Sequence, residues 1–192
     1  EARSPSGSWR ALKQFAEGLG AAERSVLGRQ RREHRIRRLE TILEITHAWR
    51  QTNSMEALLK AMAEAATELL QADRASIFLW DRSKHELVGR PALGVKGNEL
   101  RIPDDAGIVG QVIQSGQPRR VGGGLGDEEI DREVDRVTGY TTRTILCVPL
   151  LAPKGRCLGA FEVLNKKQGH FTDDDERGLI ELAAHAAVAL QN

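Results

Sequence analysis

The sequence predicts an α+β fold: a central antiparallel β-sheet flanked by helices, with an N-terminal helical extension. Three observations lead there. Apolar residues recur at helical spacing from Met55 to Leu70, then the period drops to two from Ala75 onward. Two strongly apolar runs, Arg143 to Leu151 and Arg156 to Leu164, meet through P-K-G and read as central antiparallel strands. A last helical run reaches Leu190. At 192 residues, 40% apolar and 29% charged, the chain suffices for one good core plus an appendage.

Residues 1–29 read as a disordered or weakly helical linker: 1–8 are small and polar, and Gly18 and Gly20 interrupt a candidate helix over Trp9 to Leu27. A signalling and dimerisation helix is predicted over 30–52. Ile36, Leu39, Leu43 and Thr46 make a narrow seam set among arginines, with Trp49 beyond it. Such a seam docks on another helix, in a second copy or on its own domain. The main domain is predicted over 53–192. Asn53, with Glu56 three residues on, resembles a capping box for the helix that presents Leu58, Leu59, Met62, Ala66 and Leu70. Ser76, Phe78 and Trp80 then share one strand face, and Ala75, Ile77 and Leu79 the other. A polar turn leads to a strand over Glu86 to Ala92. Next come a short helix over Gly107 to Gln114, a strand over Pro118 to Val121, a glycine-rich loop and an acidic helix over Asp127 to Val137. Thr172 caps the final helix, whose seam is Leu179, Leu182, Ala186, Val188 and Leu190.

The formal charge of +1 hides an asymmetry. Residues 1–40 carry ten basic against five acidic side chains, and the remainder eighteen against twenty-two. No aromatic residue interleaves with the arginines of 29–38, so a solvated helix face is expected rather than a nucleic-acid groove. No apolar run approaches the roughly 18 residues of a membrane span, and the N-terminus lacks a signal-peptide core. Cys147 and Cys157 fall in apolar runs, as buried free thiols in a reducing cytoplasm would. With no starting methionine and an end at L-Q-N, the chain reads as a piece of a longer protein.

Catalysis has little to stand on. There is no phosphate-binding G-x-x-x-x-G-K-[ST], and the five histidines are too scattered for a metal cluster. Neither cysteine has a neighbouring histidine that would mark a nucleophile. Asp173, Asp174 and Asp175 suit a helix N-terminus. No enzymatic activity, cofactor or metal is expected within this stretch.

Polar residues inside the apolar strands are more telling. Thr142, Glu162, Asn165 and Lys166 sit in or beside them, and buried polar groups are costly without partners. This segment should line a pocket, carry an internal polar lock, or both. The element order and short matches such as G-I-V-G-Q-V-I-Q-S-G-Q-P resemble the GAF domain family of sensor domains, over roughly Asn53 to Asn192. N-K-x(4)-F-x(3)-D-E, that is Asn165, Lys166, Phe171, Asp175 and Glu176, matches the N-K-F-D-E signature of its cyclic-nucleotide-binding branch. The resemblance implies that Lys166 pairs with Asp175 behind the pocket. D-R-V-T-G-Y-T-T-R-T-I-L-C-V-P is similar to a phosphodiesterase motif whose two threonines, here Thr138 and Thr142, bind the nucleotide. Ser76, Val109 and Glu162 match three further ligand-contacting positions of that branch. The aromatic on which the family stacks its purine has no counterpart among Gly89, Arg90 and Pro91.

The resulting expectation is a regulatory domain that binds cyclic AMP or cyclic GMP and signals through flanking helices. It would be a homodimer through its N- and C-terminal helices, with no membrane partner. The alternative is a ligand-free dimerisation and transmission module. A bilin photoreceptor would need an exposed cysteine, and Cys147 and Cys157 both read as buried.

Overall fold

The computed structural model describes residues 54–91, 99–124 and 126–191, together with Gly28, Arg29, Arg32, Ile36, Glu40, Ile42 and His47. The chain divides into two compact units, residues 1–43 and 44–192. In the first, the described residues are helical, with Ile36 exposed and Ile42 buried. The rest of the predicted seam, Leu39, Leu43, Thr46 and Trp49, lies outside the described residues, as does the candidate helix over 9–27.

The second unit opens with α1 (Met55–Leu70). Its cap is Ser54, whose Oγ accepts the Ala57 amide at 3.2 Å, one residue later than the predicted Asn53. Both residue types cap well, so the pattern alone did not separate them. Six strands follow: β1 (Ala72–Asp81), β2 (Glu86–Arg90), β3 (Leu100–Pro103), β4 (Arg119–Gly122), β5 (Thr144–Leu151) and β6 (Cys157–Lys166). They form one sheet in the order β3-β2-β1-β6-β5-β4, every neighbouring pair antiparallel. The remaining helices are α2 (Gly107–Ser115), α3 (Arg132–Thr138) and α4 (Asp173–Ala189).

β3 was not foreseen. It is a four-residue strand paired only with β2, and a pattern that short carries no usable period. The strand predicted to Ala92 stops at Arg90. The acidic helix predicted from Asp127 is a single 3₁₀ turn, Asp127–Glu129, followed by α3, because Asp131 recaps the chain by accepting the Glu133 amide at 2.9 Å.

The strand period distributes side chains between two layers. Ala75 and Ile77 of β1 and Leu146, Val148 and Leu150 of β5 are buried, alternating with residues that point the other way. α1 packs on β1, α4 on β5, and the two helices on each other. Leu179, Leu182 and Ala186 of α4 are fully buried within the domain. These three residues of the predicted docking seam are thus core, while Val188 of that seam is exposed, together with Ile180, which the seam did not include. Across the sheet, Phe78, Leu87, Ile145, Cys147 and Ala160 form a second core with Ile108, Val109, Val112 and Ile113 of α2. Gly110 is needed there, since a Cβ would collide with the Asp105 backbone where α2 approaches. Cys147 is buried as predicted, but Cys157 is only half-buried, at the irregular end of the β5–β6 pairing. Among the described residues no helix is long and apolar enough to cross a membrane.

Candidate functional site

Between the sheet and the short helices lies a two-lobed chamber. One lobe, about 80 Å³, is lined by Phe78, Leu100, Ile102, residues 106–109 of the α2 start, Ile130, Asp131 and Ile145. The other, about 70 Å³, is lined by Arg74, Ala75, Ser76, Pro91, Thr138 and Tyr140. Phe78 and Leu100 line both, as do Val134, Asp135, Thr142, Glu162 and Leu164. The walls are mainly apolar, with a few convergent polar groups, the usual make-up of a small-molecule site.

All five residues predicted to contact a ligand face this chamber. Val109 lies in the first lobe, Ser76 and Thr138 in the second, and Thr142 and Glu162 in both. The hydroxyls are already engaged. Ser76 donates to the Pro91 carbonyl at 2.7 Å, and Thr138 to the Val134 carbonyl at 2.8 Å. Thr142 donates to Asp135 Oδ1 at 2.6 Å. Each hydroxyl oxygen keeps acceptor capacity toward the chamber.

The start of α2 supplies donors. Ala106, its N-cap, makes no side-chain cap. The first intrahelical bond runs from the Gly110 amide to the Ala106 carbonyl at 2.9 Å. The amides of Gly107, Ile108 and Val109 precede it and have no acceptor within the helix, so the first lobe meets a helix N-terminus suited to an anion.

Of the three carboxylates that line the chamber, Asp135 and Glu162 reach both lobes, in opposite circumstances. Asp135 accepts the Thr142 hydroxyl at 2.6 Å and amide at 3.0 Å, and Arg132 Nη1 at 3.1 Å. Burial pushes its carboxyl up, but the bonds from Thr142 and Arg132 outweigh it and hold the group below its ordinary value. Arg132 also donates to the Thr142 carbonyl at 2.7 Å, so this trio fixes the turn between α3 and β5. Sequence reasoning gave no role to Asp135, which opens the D-R-V-T-G motif, or to Arg132, which lies three residues before it. Glu162 has no ion-pair or hydrogen-bond partner among the described residues. Its residue is half-buried and lines both lobes, and burial pushes its carboxyl up to about 7.

The predicted lock lies outside the chamber. Lys166 Nζ donates to Asp175 Oδ1 at 2.7 Å and to the Leu70 carbonyl at 2.8 Å. Asp175 Oδ2 accepts the Thr172 amide at 2.9 Å, completing a capping box on α4. Asn165, 1% exposed and at φ 56°, makes four bonds. It accepts the amides of Arg143 at 2.7 Å and Thr144 at 3.2 Å, and donates to the Tyr140 hydroxyl and the Thr141 carbonyl, both at 2.8 Å. Phe171 is buried, and Glu176 pairs with Arg120 of β4 at 3.1 Å. Asn165 thus grips both flanks of Thr142 from behind.

Known proteins agree with this architecture. A family model for the GAF domain matches residues 54–190. The probable 3′,5′-cyclic phosphodiesterase pde-5 of Caenorhabditis elegans is 32% identical over 151 residues, 72% of this chain and 21% of that protein. The dual 3′,5′-cyclic-AMP and -GMP phosphodiesterase 11 of Drosophila melanogaster is 32% identical over 141 residues, 65% of this chain and 10% of that protein. The chain therefore spans about a fifth of the length of the first of these relatives and a tenth of the second. Among solved structures, the GAF domain of a Coxiella burnetii phosphoenolpyruvate-protein phosphotransferase aligns with a TM-score of 0.68 at 24% identity, over 80% of this chain and 92% of that one. The free methionine-R-sulfoxide reductase of Neisseria meningitidis aligns with a TM-score of 0.64 at 22% identity, over 80% and 88%. At these identities the structures speak for the fold alone. With the family model covering most of the chain and the sheet, helices and chamber in place, this chain belongs to the GAF domain family.

Proposed function

We propose that this domain is a cytoplasmic sensor that binds a cyclic nucleotide in the two-lobed chamber and transmits the event through its flanking helices. The observation that carries the reading is the chamber's polarity. Uncapped helix amides suit a cyclic phosphate at one place, while hydroxyls and an unpartnered carboxyl suit ribose and base edges elsewhere. The phosphodiesterase relatives act on cyclic nucleotides by name, which is consistent with that ligand class. Binding would shift the population between open and closed chambers. The domain itself would be regulatory, with any catalysis residing elsewhere in a longer protein. Dimerisation would use the helix predicted over 30–52 and the outward face of α4, where Ile180 and Val188 are exposed.

Calorimetry and thermal melts with cyclic AMP and cyclic GMP test the reading. At ligand near 100 times the dissociation constant the expected gain is about 2.7 kcal/mol. Thr142→Ala should remove most of it, because that residue joins Asp135 to both lobes. The second reading, a ligand-free transmission module, is favoured by the modest size of the lobes, about 80 and 70 Å³. It prevails if neither nucleotide gives heat or a melting shift.

A further inference from the structure

We infer that Glu162 chooses between purines, and that it does so by its own proton: the neutral acid reads adenine, the carboxylate reads guanine. The inference rests on the cyclic-nucleotide reading above and deepens it.

The geometry sets the premise. Glu162 points from β6 into both lobes, with Ser76 of β1 and Cys147 of β5 as its strand neighbours. Its carboxyl has no partner among the described residues, whereas Asp135, the other carboxylate that lines both lobes, is held by Thr142 and Arg132. The titratable or charged groups around it are few. Asp131 and Asp135 come from α3 and its cap, Arg74 from β1, Tyr140 from the turn before β5, and the buried Cys147 from β5. β3 and the α2 start contribute only apolar side chains and backbone. Arg74 lies over the Tyr140 ring at 3.8 Å, in the second lobe. With its carboxyl pushed up to about 7, Glu162 holds both protonation states in comparable amounts at neutral pH.

The chemistry follows from what each base presents. Adenine offers a ring acceptor, N1, beside an amine donor, N6. A carboxylic acid answers both, its hydroxyl donating to N1 and its carbonyl accepting from N6. Guanine offers two adjacent donors, N1–H and the N2 amine. A carboxylate accepts both, in a charge-assisted pair. The mismatched combinations set acceptor against acceptor or leave a buried donor unmade, which costs 1–3 kcal/mol by the general rule. A phosphate seated on the α2 amides would leave the base to Glu162, which lines the second lobe as well as the first.

Calorimetry on the chain as it stands, with each nucleotide at about pH 6 and about pH 8, tests this. The dissociation constant of cyclic AMP should rise about tenfold across that interval, and that of cyclic GMP should fall about tenfold, as the competent fraction of Glu162 changes. Repeating the titrations in buffers of different ionisation enthalpy should show cyclic AMP taking up a proton at the higher pH and cyclic GMP releasing one at the lower. Glu162→Gln presents one donor and one acceptor at any pH. It should bind cyclic AMP equally at both and cyclic GMP poorly at both. Constants that do not move with pH in the wild type, or a pH dependence that survives in Glu162→Gln, would overturn the inference and leave nucleotide binding intact. Absence of binding by either nucleotide at either pH removes the underlying reading, and this inference with it.

Discussion

Glu162 and Lys166 stand four residues apart on one strand, and the chain treats them in opposite ways. Lys166, with Asn165 beside it, is saturated: ammonium, amide and side-chain oxygen all have named partners within 3.2 Å. Glu162 faces the chamber with none among the described residues. Both are polar residues in an apolar strand; composition does not say which is structural, and only the resemblance to the GAF signature set Lys166 apart as part of a lock. The contrast teaches that polarity in a core marks two different things. A satisfied group defines geometry; an unsatisfied one costs stability that a ligand can return.

The contrast can be broken first at its saturated end. Asn165→Ala strips four hydrogen bonds and places a Cβ-bearing residue without local side-chain support at φ 56°. The expected loss is about 4 kcal/mol, summed from unmade buried bonds and left-handed backbone strain. Urea unfolding checks it, and a loss below about 1 kcal/mol would mean that the four bonds contribute little.

Next comes the ion pair. Lys166→Ala should cost about 3 kcal/mol, since Asp175 is left partly buried and unpaired. Adding Asp175→Ala should recover part of that loss. Strict additivity in the double-mutant cycle would show that the two residues act separately.

The smallest stability effect belongs to the unsatisfied end, and it has the opposite sign. Glu162 titrates in the folded protein near 7, above its unfolded value near 4.5. A carboxyl raised in this way favours the folded state while protonated and penalises it once ionised, so its contribution falls as pH rises from about 4.5 through about 7. Glu162→Gln should therefore stabilise the ligand-free protein by about 2 kcal/mol near pH 8, discounted for chamber water, with the gain vanishing near pH 4. Paired melts of wild type and variant across pH measure the difference. A gain that grows as pH falls would reverse the assignment.

What the sequence made legible was local. Lys166 and Asp175 lie nine residues apart and meet across one turn, so motif and geometry coincide. The long helices were readable because their apolar faces repeat over several turns. Arg120 with Glu176, and Trp80 Nε1 with Asp104 at 2.9 Å, join residues that only the folded sheet brings together. β3 hid in an alternation of four, and Cys157 could not be told from Cys147 because its exposure depends on where β5 and β6 lose register. Asp135 went unnoticed because its role is set by Thr142, seven residues away, through a turn whose shape Asn165 dictates from another strand.

One lysine has a mechanical meaning. Lys166 Nζ holds the last turn of α1 through Leu70 and the first turn of α4 through Asp175, while its backbone amide takes Thr144 Oγ1 at 2.9 Å at the root of β5. The helix that enters the domain and the helix that leaves it are therefore pinned at one point, next to the strand end that frames the chamber. A push at that strand end cannot load one helix and spare the other. Because α1 and α4 also pack on the sheet and on each other, Lys166 makes them one body at that end, and a displacement there reaches both helices together.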